Sequence, residues 1–202
     1  MLGAMEFSEV VRRRRMVRAY DPSRPVPPGI RDKLLANARH APSAGFSQGW
    51  GFLVLEAGAD RDLFWSVTTE EGEADSWLSG MTDAPLLIVC FSHKAAYLDR
   101  YAEPDKGWTD RDENRWPVPY WDIDTGMAAL LILQTAVDQG LGACFFGIPP
   151  EFIPPLRDAF GVPDTFSPIG VVSVGYRRAD QASPSLRRGR RGADEVVHHG
   201  RW

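Results

Sequence analysis

Nine arginines in two short runs are the residues of this chain best suited to chemistry at an anion: Arg12 to Arg15 with Arg18, and Arg187, Arg188, Arg190 and Arg191. A guanidinium group stays charged and forms paired, charge-assisted hydrogen bonds with phosphate or carboxylate oxygens. Either run alone reads as a solvated basic face. Two runs folded onto one pocket would make an anion site. Acids crowd the middle instead, at Glu70, Glu71, Glu73, Asp75, Asp110, Asp112 and Glu113. With a net charge of −4, the chain has no overall pull towards nucleic acid or an anionic membrane.

A second candidate is Ala41-Pro-Ser-Ala-Gly-Phe-Ser-Gln-Gly-Trp-Gly51, rich in small residues. It suits a tight turn, or a floor on which a flat ligand lies close to the backbone. Other chemistries are excluded. There is no Gly-x-Gly-x-x-Gly after a strand, no Walker pattern and no Gly-x-Ser-x-Gly. The four histidines have no metal-ligand spacing, and no metal is expected. Cys90 and Cys144 each sit in an apolar run and are expected as buried reduced thiols. No apolar run reaches the roughly 18 residues that span a bilayer, and the start lacks a signal-peptide pattern. The expected location is therefore cytoplasmic, with no membrane and no nucleic-acid partner.

The 202 residues fit one domain with a real core. At its centre is Asp122 to Gly147. Met127 to Leu133 is apolar throughout, which predicts a helix buried on all sides, either central to a thick domain or at a subunit interface; the interface is favoured. Asp124 or Thr125 can cap its start, and Gly140 or Gly142 can end it. Ala143 to Phe146 reads as a short buried strand and Pro85 to Phe91 as one buried on both faces, while Phe52 to Leu55 and Pro168 to Tyr176 read as strands. Helices are expected over Glu6 to Arg13, from Pro27-Pro28 to Ala41, over Asp60 to Thr68 and from Pro149 to Phe160. Residues 70–75 read as loop or exposed helix. The polar stretch 93–119 carries scattered aromatics, which suit anchors for a long loop or a lid over a planar substrate. Residues 177–202 lack a core of their own and are disordered or wrapped on something else.

Four motifs occur in order: Arg-Arg-x-Val-Arg near the start, Ala-Pro-Ser-Ala-Gly-x-Ser-Gln-x-Trp, Gly-Leu-Gly-Ala-x-x-x-Gly, and Arg-Arg in the tail. At these points the chain resembles the nitroreductase family of FMN-dependent oxidoreductases, from about Phe7 to Val197. The resemblance implies a three-layer α+β fold with a mixed central sheet, the long helix at a homodimer interface, and the tail crossing to the partner. It implies that Arg14, Arg15, Arg190 and Arg191 meet the FMN phosphate, with Met16 in the same segment, and that Arg18 faces the polar edge of the ring and tunes it electronically. Pro42, Ser43, Ala44 and Gly45 resemble the ring-contacting loop. Gly142, Ala143, Phe146 and Gly147 resemble the segment that covers the rest of the ring and offers N–H groups near N5.

The activity implied is ping-pong: hydride passes from NADH or NADPH to flavin N5, then to a nitroaromatic, quinone or related small acceptor. No general acid or base is named, and Trp116 or Tyr120 would line the substrate side. Two departures stand out. The family commonly has Ser or Thr where this chain has Met16, and often Asn and Pro where it has Phe46 and Gly49. They motivate the rivals: a protein that binds or sequesters flavin or deazaflavin without turnover, or a specialised dehalogenase-like or flavin-consuming enzyme on the same scaffold.

Overall fold

The structure, a computed structural model, describes residues 5–70, 76–179 and 183–202. The expected loop at 70–75 thus lies, apart from Glu70, outside the described residues. Four strands form the sheet: β1 (Trp50–Leu55), β2 (Leu86–Ser92), β3 (Gly142–Phe146) and β4 (Ser167–Gly175), in the order β1-β2-β4-β3. All three neighbouring pairs are antiparallel. Among the described residues, the mixed character expected of the sheet is confined to an isolated parallel bridge between Met16 and Ala143.

Residue alternation along the strands sorts the core into two layers. Leu86, Ile88, Cys90, Ala143, Val172 and Val174 pack with α2 (Pro28–Ala38) and α6 (Tyr120–Asp138). Leu87, Val89, Phe91, Cys144 and Val171 face the other way, onto Phe64 and Trp65 of α3 (Gly58–Thr68), Met81 of α4 (Ser76–Thr82) and Leu156 of α7 (Ile153–Phe160). Helices, sheet and helices make three layers, as expected. All seven residues of β2 are buried, which is why that segment reads as an unbroken apolar run. The cysteines lie on opposite faces of the sheet, both free and buried. Burial alone pushes the Cys90 thiol up to about 12, so it stays protonated.

Helix α6 corrects two expectations. It starts at Tyr120, so Asp124 and Thr125 lie inside it and are buried rather than capping it. It ends as expected at Gly140, whose φ of 74° lets the chain reverse while Leu141 N–H donates to Ala136 O at 2.8 Å. Nor is α6 buried all round within one chain. Ala128, Ile132 and Ala136 are fully buried, but Tyr120, Ile123, Met127 and Leu130 form a stripe exposed by 37 to 44%. That spacing is one face of a helix.

Other differences are local. α1 (Phe7–Arg13) buries Val10 but leaves Phe7 and Val11 exposed. The stretch 93–119 contains α5 (Lys94–Ala102), where Tyr97 and Tyr101 share a face at i, i+4. The tail has a short 3-10 turn, Pro184–Arg188, and α8 (Ala193–Val196), with residues 184–202 all exposed, Leu186, Val196, Val197 and Trp202 among them.

Asp138 ties three segments together at the end of α6. Its carboxylate accepts from Met5 N–H at 3.1 Å, Lys33 Nζ at 3.2 Å and Gln139 Nε2 at 2.6 Å. Burial opposes its ionisation, but these donors together outweigh that and hold it below the ordinary aspartate value of 3.8. A lowered folded value means that the stabilisation is present above 3.8 and is lost as pH falls through the folded value. Asp138→Ala is expected to cost about 1 kcal/mol at neutral pH. In urea unfolding, the gap to the unsubstituted protein should close below pH 3.8.

Candidate functional site

The first arginine run lies where α1 stops and the chain turns extended along the free edge of β3. Val17 N–H donates to Ala143 O at 3.0 Å, and Phe145 N–H is 3.4 Å from Met16 Sδ. In extended chain successive side chains alternate, so Arg14, Met16 and Arg18 share one side and Arg15 and Val17 the other. Met16 therefore fills space on the edge of the core where a hydroxyl would have offered a donor; it packs against both core layers. Close approach is enforced by glycines. A Cβ at Gly142 would lie 2.8 Å from both Val17 methyl carbons, and one at Gly80 of α4 would overlap the carbonyl oxygen of Arg18.

Around this edge a cavity of about 510 Å³ gathers Arg12, Arg13, Arg15 and Arg177 with Gly140 and Gly142. Arg13 is paired with Glu9 at 2.5 Å, and Arg15 donates to the carbonyls of Arg12 and Arg14 at 2.6 and 2.9 Å. Neighbouring Arg14 is half-buried, and its Nη1 has no acceptor among the described residues. A cavity walled by several guanidinium groups fits a phosphate-bearing ligand, and Arg14 lies outside its lining. Arg177 was missed by sequence reasoning. It reaches the cavity because an isolated bridge joins it to Tyr20, and no local spacing signals a contact across that much chain. Arg190 and Arg191 stay in the exposed tail, where Arg191 pairs with Glu195 at 3.2 Å.

The other predicted group has its own supports. Residues 43–48 form a loop with three left-handed residues, Gly45 (φ 62°), Phe46 (φ 57°) and Gln48 (φ 50°). Such backbone persists only where the surroundings hold it. Ser43 Oγ accepts from Gln48 N–H at 3.0 Å, Arg100 Nε donates to Gly45 O at 2.9 Å, and Ala44 N–H donates to Asp124 Oδ2 at 2.8 Å. The same Asp124 oxygen accepts from Tyr97 OH at 2.8 Å. A Cβ at Gly45 would lie 2.6 Å from the Tyr101 ring, so the loop and α5 are fitted together. Pro42 enters this loop, and Phe46 stands at its tip, 75% exposed.

Trp116 sits at the middle of an aromatic cluster, with ring centroids 4.5 Å from Tyr101, 5.5 Å from Trp108, 5.7 Å from Tyr120 and 6.0 Å from Tyr97 and Trp121. The aromatics scattered through 97–121 are thus one packed group. Asp124, Tyr97 and Arg100, which shape the 43–48 loop, were not foreseen as site residues. A buried acid in an apolar helix was the available signal for Asp124. On the sheet's other face Phe146 stacks on Trp65 at 5.6 Å and 10°, while exposed Gly147 follows it at the end of β3.

Burial first, then donation to Asp124, pushes the Tyr97 hydroxyl well above the ordinary tyrosine value of 10.0. A raised folded value means that its stabilisation is complete below pH 10.0 and is lost as pH rises through the folded value. Tyr97→Phe, which leaves Asp124 with one donor fewer, should cost about 1–2 kcal/mol at pH 8. Thermal unfolding across pH 8 to 11 is expected to show a shallower alkaline loss in that variant.

A family model described as the Nitroreductase family matches residues 11–176. A protein of Methanothermobacter thermautotrophicus named "Putative NADH dehydrogenase/NAD(P)H nitroreductase" is 28% identical over 178 residues, covering 87% of this chain and 79% of its own length. One of the same name from Archaeoglobus fulgidus is 26% identical over 179 residues, with 87% and 88% covered. Among solved structures, a nitroreductase family protein from Clostridium difficile superposes with a TM-score of 0.72 at 24% identity, covering 98% of this chain and 100% of that one. A "putative nitroreductase in complex with FMN" from Exiguobacterium sibiricum gives 0.73 at 20% identity, covering 97% and 98%. Likeness to these two structures is likeness of fold.

Proposed function

Because the chain belongs to the nitroreductase family, we propose that it is an FMN-dependent NAD(P)H oxidoreductase that reduces nitroaromatic, quinone or related small acceptors. FMN, when bound, would supply the redox chemistry, hydride transfer through N5 between NADH or NADPH and the acceptor. The observation that carries the reading is the cavity at the edge of β3 walled by Arg12, Arg13, Arg15 and Arg177.

In this reading Arg14 and Arg15 hold the phosphate, joined by Arg12 or Arg177 from the cavity wall. Arg18, two extended residues beyond Met16, faces the polar edge of the ring and stabilises negative charge there. Backbone N–H groups from Gly142 to Gly147 fix the ring's position. Pro42, Ser43, Ala44 and Gly45 form the second wall, held in shape by Asp124 and Arg100. The cluster around Trp116 and Tyr120 excludes water from the acceptor side.

The two walls have separate supports within one chain, and α6 carries an apolar stripe that one chain leaves exposed. Both features support a homodimer in which each site takes one wall from either protomer. The exposed tail, with Arg190 and Arg191, then wraps on the partner and brings its arginines to a phosphate. Cytoplasmic location goes with this reading, as does the absence of a helix long and apolar enough to cross a membrane among the described residues.

Purified protein is expected to show a flavin spectrum, to release FMN on heating, and to bleach anaerobically with NADH or NADPH. A bound chromophore that neither donor bleaches would favour the flavin-sequestering alternative. Arg14→Ala combined with Arg190→Ala should weaken FMN binding about a hundredfold or more while the far-UV spectrum is unchanged. Full flavin occupancy in that double variant would refute the phosphate assignment.

A further inference from the structure

Tyr20 does not line the arginine-walled cavity, yet it joins both of the basic segments that do. It follows the first arginine run and is fully buried, as is Ser173 in β4. The Tyr20 hydroxyl donates back to Val17 O at 2.6 Å. A phenol has one proton to give, so the 2.8 Å contact between Tyr20 OH and Ser173 Oγ is a bond that the serine donates. Cys144 O, the other acceptor near Ser173 Oγ, is 3.4 Å away. Ser173 is a polar residue among the buried Val171, Val172 and Val174, and the tyrosine is the group that satisfies it.

The backbone around Tyr20 reaches the second basic segment. Tyr20 pairs with Arg177 in an isolated antiparallel bridge, Asp21 N–H donates to Tyr176 O at 2.8 Å, and Arg178 N–H donates to Ala19 O at 3.0 Å. The side chain holds the first segment. Val17 lines the cavity, and both of its backbone polar groups are engaged, the N–H by Ala143 O at 3.0 Å and the carbonyl by the Tyr20 hydroxyl. Arg15 stands two extended residues before Val17, on the same side of the chain. Gly175 leaves room for the ring, since a Cβ there would lie 3.0 Å from Tyr20 Cδ1. Guanidinium groups held close together repel one another, so a frame that fixes their backbones beforehand reduces the ordering that a bound phosphate must impose.

We propose that Tyr20 is a positioning residue for phosphate recognition. Through Val17 O and the Arg177 bridge it sets the spacing between Arg15 and Arg177, and Ser173 fixes its hydroxyl from β4. The inference rests on the reading of the cavity as the FMN phosphate site. Tyr20 itself touches no ligand. Its effect falls on the phosphate and not on the flavin ring, because the 43–48 loop is held by Asp124 and Arg100 and β3 is held by its ladder with β4.

The test compares FMN with riboflavin, which lacks the phosphate, on the full chain stripped of flavin and without NADH or NADPH. Dissociation constants are read from flavin fluorescence. The unsubstituted protein is expected to bind FMN at least about tenfold more tightly than riboflavin. Tyr20→Phe, which removes the hydroxyl and keeps the ring, should weaken FMN about three- to tenfold and change riboflavin by less than about twofold. Ser173→Ala leaves the bond to Val17 in place and should move FMN the same way by a smaller factor, again sparing riboflavin; it decides the matter by the same ratio if Tyr20→Phe does not fold. A merely structural role would weaken both flavins alike, and that result would overturn the inference, as would unchanged FMN binding in both variants. An unsubstituted protein that binds FMN and riboflavin equally would refute the phosphate reading of the cavity and this inference with it. A strong preference for FMN that survives in Tyr20→Phe would refute the role of Tyr20 alone.

Discussion

The hydrogen bond from Val17 N–H to Ala143 O, 3.0 Å long, is the contact on which the organisation of the site depends. The strand order leaves β3 at an edge, with unpaired backbone groups on its outer side. Docking the segment after α1 against that edge covers part of it and, by the same act, brings the first arginine run beside the end of α6. Backbone pairing supplies what side chains could not do alone, since a cluster of like charges repels itself and needs a rigid frame to stay together. Gly142 and Gly80 contribute by having no side chain: each leaves room for Val17 or for the Arg18 carbonyl to approach.

The second organising element is a polar junction inside apolar surroundings. Asp124 is 3% exposed and accepts hydrogen bonds from the Ala44 N–H and the Tyr97 hydroxyl. It thereby connects α6, α5 and the 43–48 loop at one atom. A buried carboxyl group is costly unless satisfied, and this one is satisfied by the groups whose positions matter: the loop backbone with its left-handed residues and the helix that begins the aromatic cluster. Arg100 completes the arrangement by donating to Gly45 O while its guanidinium engages Asp105 at 2.7 Å.

Helix α6 links these parts. Its buried face packs on the sheet and on α2, its first turns carry Asp124 beneath the loop, and its end delivers the chain through Gly140 into β3. The apolar stripe from Tyr120 to Leu130 is left over once those duties are met. The proposed homodimer would cover that stripe with a second copy.

Much of this was legible in the sequence where the signal is local or periodic. Unbroken apolar runs marked β2 and β3, and the order of three short motifs marked the family from the arginine run to the end of β3, within the residues that its model matches. Gly140 was legible as a helix stop because one residue type suits that conformation. The three layers follow from those elements plus alternation along each strand. What the sequence could not determine was which distant residues meet. Arg177 at the cavity, Asp124 under the loop instead of at a helix cap, and Trp65 against Phe146 each depend on contacts between segments far apart in the chain, and no local spacing encodes them. The extent of α6 was misjudged for a related reason: packing of Tyr120, Trp121 and Trp116 extends the helix by a turn before the apolar run begins. Local propensity and periodicity settle elements because they act between neighbours. Sites are settled by tertiary packing, because only the folded chain brings together the segment after α1, a strand edge and the glycines that leave room for its approach.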